Sequence, residues 1–115
     1  MIYITQGDVN TICLTLTEST TISQPVYLFK FTWQTDPTDV VPLYWIGSDI
    51  SNYPYRYNLF ELDEGVGADV ELRIGQYLYE IYEDVQNSTP VDETGLTKVE
   101  EGIMVVYGVA TTIYD

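Results

Sequence analysis

The chain has 115 residues, 45% of them apolar, and sets 18 acidic residues against four basic ones for a formal net charge of -14. A single domain of this size hides roughly two-thirds of its unfolded surface on folding, and a composition rich in aromatic and β-branched residues argues against disorder. The negative field repels phosphate backbones and anionic lipid heads, and Lys30, Arg56, Arg73 and Lys98 form no basic run, so nucleic-acid and membrane-surface binding are set aside.

The dominant period along the chain is two. Residues 2–6 open the first extended run, without a basic leader or a long apolar stretch, and synthesis and folding in a cytosol are expected. In residues 11–17, Ile12, Leu14 and Leu16 alternate with threonines and Cys13, which gives one apolar face and one polar face. Cys13 is the only cysteine, so no intramolecular disulfide exists; it reads as a small hydrophobe. Residues 26–34 give the clearest core strand, with Tyr27, Phe29, Phe31 and Trp33 on one side. Trp33 and Trp45 both read as core residues. Shorter runs follow at 42–46 and 56–62, where Tyr55, Tyr57 and Leu59 claim one face and Phe60 and Leu62 the other. A bulge near Asn58 would reconcile the two phases.

Further runs lie at 70–74, 76–84 and 99–109, with a terminal piece at 111–114. In the run at 99–109, Ile103, Val105 and Tyr107 alternate with Met104 and Val106, so both faces are expected to be buried. Turn residues punctuate the series, among them Gly7-Asp8, Asp36-Pro37, Gly47-Ser48-Asp49 and the stretch 87–95. No segment carries the spacing of an amphipathic helix. The expectation is an all-β fold: one immunoglobulin-like antiparallel β-sandwich of seven to nine strands, spanning residues 1–115 as a single domain. Gly75-Gln76-Tyr77-Leu78-Tyr79 resembles the start of the strand bearing the tyrosine corner of such domains, with the Tyr77 hydroxyl bonding back to the preceding connection and Tyr79 in the space of a disulfide cysteine.

The chain has no histidine, so serine or cysteine triads that use one are impossible, and the cysteine count excludes a structural zinc site. Asp63, Glu64, Asp69 and Glu71 flank a glycine loop and offer hard oxygen ligands that suit calcium, but a solvated acidic hairpin is preferred; no metal or cofactor is expected. A carboxylate-pair glycosidase needs a groove that a sandwich of this size has little room for, so no enzymatic role is expected. Tyr53, Tyr55, Arg56 and Tyr57 are the candidate interface residues. Tyrosine and arginine are enriched where proteins grip one another, and the competing reading has these side chains packing on their own domain.

The opening Met1-Ile2-Tyr3-Ile4-Thr5-Gln6-Gly7-Asp8 followed by Asn10-Thr11-Ile12-Cys13-Leu14-Thr15-Leu16, the segment Tyr27-Leu28-Phe29-Lys30-Phe31, the block Asp49-Ile50-Ser51-Asn52-Tyr53-Pro54-Tyr55-Arg56-Tyr57-Asn58-Leu59-Phe60 and Gly75-Gln76-Tyr77-Leu78-Tyr79-Glu80-Ile81-Tyr82 together resemble small β-sandwich proteins of crAss-like and related tailed phages of Bacteroidetes hosts. The resemblance covers most of the chain. It implies a non-enzymatic virion structural protein, either an auxiliary protein decorating the capsid or a head-fibre subunit. Such a protein is made in the host cytoplasm and docks on other virion proteins such as the major capsid protein, or on copies of itself. No functional residue is carried over. The alternative expectation is an immunoglobulin-like adhesion or carbohydrate-binding module, and a third is an acidic protein that mimics nucleic acid.

Overall fold

The computed structural model of the protein describes residues 1–22, 25–34, 42–54, 56–65, 67–86 and 88–108. Among these, seven strands form: β1 (Ile2–Thr5), β2 (Val9–Leu14), β3 (Val26–Trp33), β4 (Leu43–Gly47), β5 (Asn58–Asp63), β6 (Gly75–Asp84) and β7 (Thr97–Tyr107). The helical content among the described residues is one 3-10 turn at Thr17–Ser19. The strands make a five-stranded sheet in the order β1-β7-β6-β3-β4 and a two-stranded sheet of β2 and β5. The fold is all-β and compatible with the expected sandwich.

One pairing departs from the antiparallel expectation. β1 runs parallel to β7, with Ile2 opposite Met104 and Thr5 opposite Tyr107, so the larger sheet is mixed. The cause lies in the turn after β1. Gly7 takes a positive φ of 74°, and β2 pairs with β5 in the other sheet instead of returning along β1. The outward backbone of Thr5 is satisfied by a side chain: its N–H donates to Asn10 Oδ1 at 2.8 Å, and Asn10 Nδ2 donates to the Thr5 carbonyl at 3.0 Å. Asn10 thus completes at one residue the ladder that a neighbouring strand would otherwise supply.

The core follows the alternation. Tyr27, Phe29 and Phe31 of β3, Tyr77, Tyr79 and Ile81 of β6, and Phe60 and Leu62 of β5 are all buried in one cluster. Phe60 meets Phe29 edge-on at 5.0 Å and Tyr27 at 5.6 Å, which locks the smaller sheet onto the larger. A fully buried side chain of this size stabilises by about 1.5–3 kcal/mol relative to exposure. Trp33 and Trp45 are half-buried and pack against this cluster. On β7 Met104 and Val106 are buried in the core and Val99 packs against it; Ile103 and Val105 are half-buried on the outer face, so the strand is not covered on both sides.

Tyr77 stands where the sequence places it. Its hydroxyl accepts the backbone N–H of Arg73 at 2.8 Å, tying β6 to the segment that delivers it. Tyr79 is buried two residues on, in the interior position expected of it.

Three other expectations need correction. Residues 70–74 do not form a strand, although Val70 and Leu72 do point into the core. Their backbone finds partners elsewhere: Leu72 N–H donates to Glu64 Oε2 and Arg73 N–H to the Tyr77 hydroxyl, and Val70 makes one isolated parallel bridge to Glu64. The bulge expected near Asn58 is absent, because β5 starts at Asn58 and runs in continuous register with β2. The register shift falls instead between Ile81 and Tyr82 on β6, opposite Lys98 to Glu100 of β7. Residues 15–17 leave β2 for the 3-10 turn. Val109 and the expected piece at 111–114 lie outside the described residues.

Candidate interaction surface

Of the expected interface residues, Tyr53, Arg56 and Tyr57 share one loop, and Tyr55 lies outside the described residues. The loop is a turn and not the extended segment expected, since the N–H groups of Arg56 and Tyr57 both donate to the Tyr53 carbonyl, at 2.9 and 3.1 Å. This brings the Tyr53 and Tyr57 rings to 6.4 Å. Tyr53 is 48% exposed, Arg56 is exposed and Tyr57 is half-buried. Tyr57 turns towards the domain while Tyr53 and Arg56 face outward.

The loop stands on a buried polar hub that the sequence did not disclose. Asn58 is 1% exposed, and all four hydrogen bonds of its amide are made. Oδ1 accepts the N–H groups of Leu16 and Thr17, while Nδ2 donates to Thr17 Oγ1 and to Asp49 Oδ2. Thr17 Oγ1 in turn donates to the Pro54 carbonyl. Asp49 Oδ1 accepts from Ser51 and Leu59 N–H, both at 2.9 Å. Two connections, β2–β3 and β4–β5, are thereby tied to the first residue of β5. A small cleft opens beside this hub between Thr15, Glu18, Pro54 and Arg56.

The acidic loop after β5 is organised for structure. Glu64 is 5% exposed, and its two oxygens accept Gly7 N–H at 2.6 Å and Leu72 N–H at 2.7 Å. Asp69 Oδ2 accepts the N–H of Asp63. Among the described residues no group of three or more acidic or cysteine side chains converges as a metal site. Glu83, also buried, binds the N–H and hydroxyl of Thr21 in the same manner. These carboxylates act as substitutes for backbone carbonyls at points where the ladder ends.

The outer face of the larger sheet divides into two halves. In one, Glu80 and Glu101 sit directly opposite each other, a repulsive placement that Lys98 relieves by reaching Glu101 at 3.2 Å and Glu80 at 3.5 Å. Lys30 bonds Glu93 at 2.9 Å, and the Tyr44 hydroxyl donates to the same carboxylate at 2.6 Å, drawing the β6–β7 connection across β3 and β4. The Tyr44 and Lys30 bonds hold Glu93 well below the usual carboxylate range, at about 2. Burial, then the carboxylate of Glu80, pushes Tyr82 up to about 12; burial and Glu93 likewise raise Tyr44.

The other half carries no charge. Tyr3 of β1 and Tyr107 of β7 stack at 6.1 Å with ring planes 15° apart, and both are at least half exposed. Val105, Ile103 and Leu78 extend the surface inward and are half-buried. Cys13 is exposed on the polar face of β2, so it does not act as a packed hydrophobe.

At the Gly7 end a cleft of about 610 Å3 runs between Trp33, Leu43, Leu72 and Tyr77, with the Arg73 guanidinium 4.7 Å from the centre of the Trp33 ring. Among the described residues no helix is long and apolar enough to cross a membrane. No family model, curated protein or solved structure matches this chain.

Proposed function

We propose that this chain is a non-enzymatic structural protein of a phage virion, a capsid-decorating protein or head-fibre subunit that works by contact with other virion proteins. The observation that carries the reading is the loop of Tyr53, Arg56 and Tyr57 on its hydrogen-bonded hub. A contact residue binds tightly when its position is set before the partner arrives, because less ordering entropy is lost on docking. Tyrosine and arginine on a pre-organised turn supply large contact area with few free torsions. The resemblance of the chain to virion proteins of tailed phages supports the same reading and suggests the major capsid protein as one partner.

Mass spectrometry of purified particles tests this. The protein is expected at a fixed copy number comparable to that of other shell components, and Tyr53→Ala together with Arg56→Ala should lower its occupancy. Absence from purified particles overturns the proposal. A glycan array with the free domain separates off the adhesion-module alternative, which requires sugar binding that Tyr53→Ala removes.

A further inference from the structure

We propose that residues 88–96 form a hinged flap over a second, smaller apolar cluster on the outer face of the larger sheet, and that Glu93 is the clasp that keeps it shut. The proposal does not depend on the virion reading and stands on different residues.

The cluster shows itself by burial on the wrong side of the sheet. Leu28 and Tyr82 are 0% and 9% exposed, yet neither belongs to the core between the sheets. Alternation explains why. Tyr27, Phe29 and Phe31 of β3 and Tyr77, Tyr79 and Ile81 of β6 point into that core, so Leu28 and Tyr82 point away from it. They are direct partners across β3 and β6, and on its other side Leu28 faces Ile46 of β4, which is half-buried. Neighbouring strands screen a side chain only from the sides. A leucine in the middle of an outer sheet face that water does not reach has something lying above it.

The segment that reaches this place is the β6–β7 connection. The Glu93 carboxylate bonds Lys30, two residues along β3 from Leu28, at 2.9 Å, and accepts from Tyr44, two residues along β4 from Ile46, at 2.6 Å. Residues two apart on a strand share a face, so the anchor points and the cluster are neighbours. Glu93 and Leu96 are half-buried while Val91 is 85% exposed, so one side of the segment meets the sheet and the other meets water.

The attachment is narrow. Ser88 Oγ bonds Asp84 at the root of the flap, and the N–H groups of Thr94 and Leu96 donate within the segment, to Asp92 and to the Glu93 carbonyl. Among the described residues, the bonds that reach from the flap across to β3 and β4 all end on the Glu93 carboxylate. Gly95, at a φ of 79°, turns the chain just before β7 begins. A segment held through one carboxylate can lift as a unit while the strands beneath keep their pairing, because local opening needs far less free energy than global unfolding.

Hydroxyl-radical footprinting of the intact protein, read by mass spectrometry, tests the proposal, since it reports the access of water to individual side chains. Glu93→Lys repels Lys30 and accepts nothing from Tyr44, so oxidation of Leu28 and Tyr82 should rise about tenfold. Tyr44→Phe deletes one of the two bonds and should give a smaller rise at the same two residues. Phe31 and Tyr77, buried between the sheets, should stay as protected as in the wild type. Wild-type protection of Leu28 and Tyr82 in Glu93→Lys overturns the proposal. So does a loss of protection at Phe31 and Tyr77 in step with them, which is unfolding of the whole domain. Neither result bears on the presence of the protein in particles, which is measured separately.

Discussion

The Tyr79 side chain lies over Gly102, its direct partner across β6 and β7, so closely that a Cβ at position 102 would stand 2.8 Å from the Tyr79 hydroxyl and from Cε2. The glycine is thus the seat of a buried aromatic ring, whose hydroxyl goes on to bond Glu100 at 3.0 Å.

Gly102→Ala is therefore expected to destabilise the fold by about 1–3 kcal/mol, the range for overpacking a filled site. Gly108→Ala is the control. Its Cβ would meet Ile74 Cδ1 at 3.0 Å, but Ile74 is 58% exposed and can turn aside. Chemical denaturation of the two variants should separate them clearly, and equal midpoints would show that Tyr79 has room to move.

Replacing Asn58 by leucine removes an amide whose every hydrogen bond is used and orphans the buried N–H of Leu16, while Thr17 is exposed and Asp49 half-buried. A loss of about 1–3 kcal/mol is expected, the usual cost of an orphaned buried group. Asn58→Asp keeps the acceptor for Leu16 and Thr17 but faces Asp49 with a second carboxylate, so it should also destabilise, and more so at neutral than at acidic pH. A leucine variant with an unchanged midpoint would remove the hub from the account.

Tyr77→Phe deletes only the hydroxyl that accepts from Arg73 N–H. About 1 kcal/mol of stability should go with that bond, and amide exchange at Arg73 should quicken while that of the β3–β6 ladder stays slow. Unaltered exchange at Arg73 would mean that the corner bond does not hold the connection.

The corner was legible in advance because glycine, tyrosine and a second interior aromatic fall at fixed short spacing. Strand placement was legible for the same kind of reason: alternation of Tyr27, Phe29 and Phe31 is a local signal. What escaped depends on side chains acting at a distance. Val70 and Leu72 alternate as a strand should, yet Glu64 and Tyr77 take the hydrogen bonds a ladder would have made. Nothing near Asn58 in the sequence announces that its partners are Leu16, Thr17 and Asp49. The parallel β1–β7 pairing joins segments about a hundred residues apart, and periodicity carries no information on strand direction. The sequence of β7 suggests burial on both faces, because the same apolar residues suit a core or a surface that another molecule covers.

In alkali the tyrosines should govern stability. Burial first, and carboxylate neighbours second, raise Tyr44, Tyr79 and Tyr82, the last to about 12 against an ordinary 10.0. Stability from these phenols is complete below the ordinary value and drains away as pH climbs through the native one. Phenolate absorbance should therefore rise together with loss of tertiary circular dichroism, and Tyr82→Phe should soften that dependence. Full ionisation in a still-folded protein would contradict the burial of these rings.

At low pH the relevant group is Glu93. Its native value of about 2 lies below the ordinary 4.5, so its contribution is present above that ordinary value and lost as pH falls towards 2. Because the ion pair with Lys30 is partly exposed, the effect should be small and salt-sensitive. Glu93→Gln should remove it, and the amide signals of the β6–β7 connection should then change little between neutral and acidic solution.

The carboxamide of Asn10 has a consequence for life in a crowd. The first strand ends one sheet, and an unmated margin of that kind can recruit an identical neighbour into an endless ribbon. By occupying both outward hydrogen-bonding groups of Thr5, Asn10 denies a stranger's backbone its footing there, so that many copies can be packed side by side without knitting into fibrils at this margin.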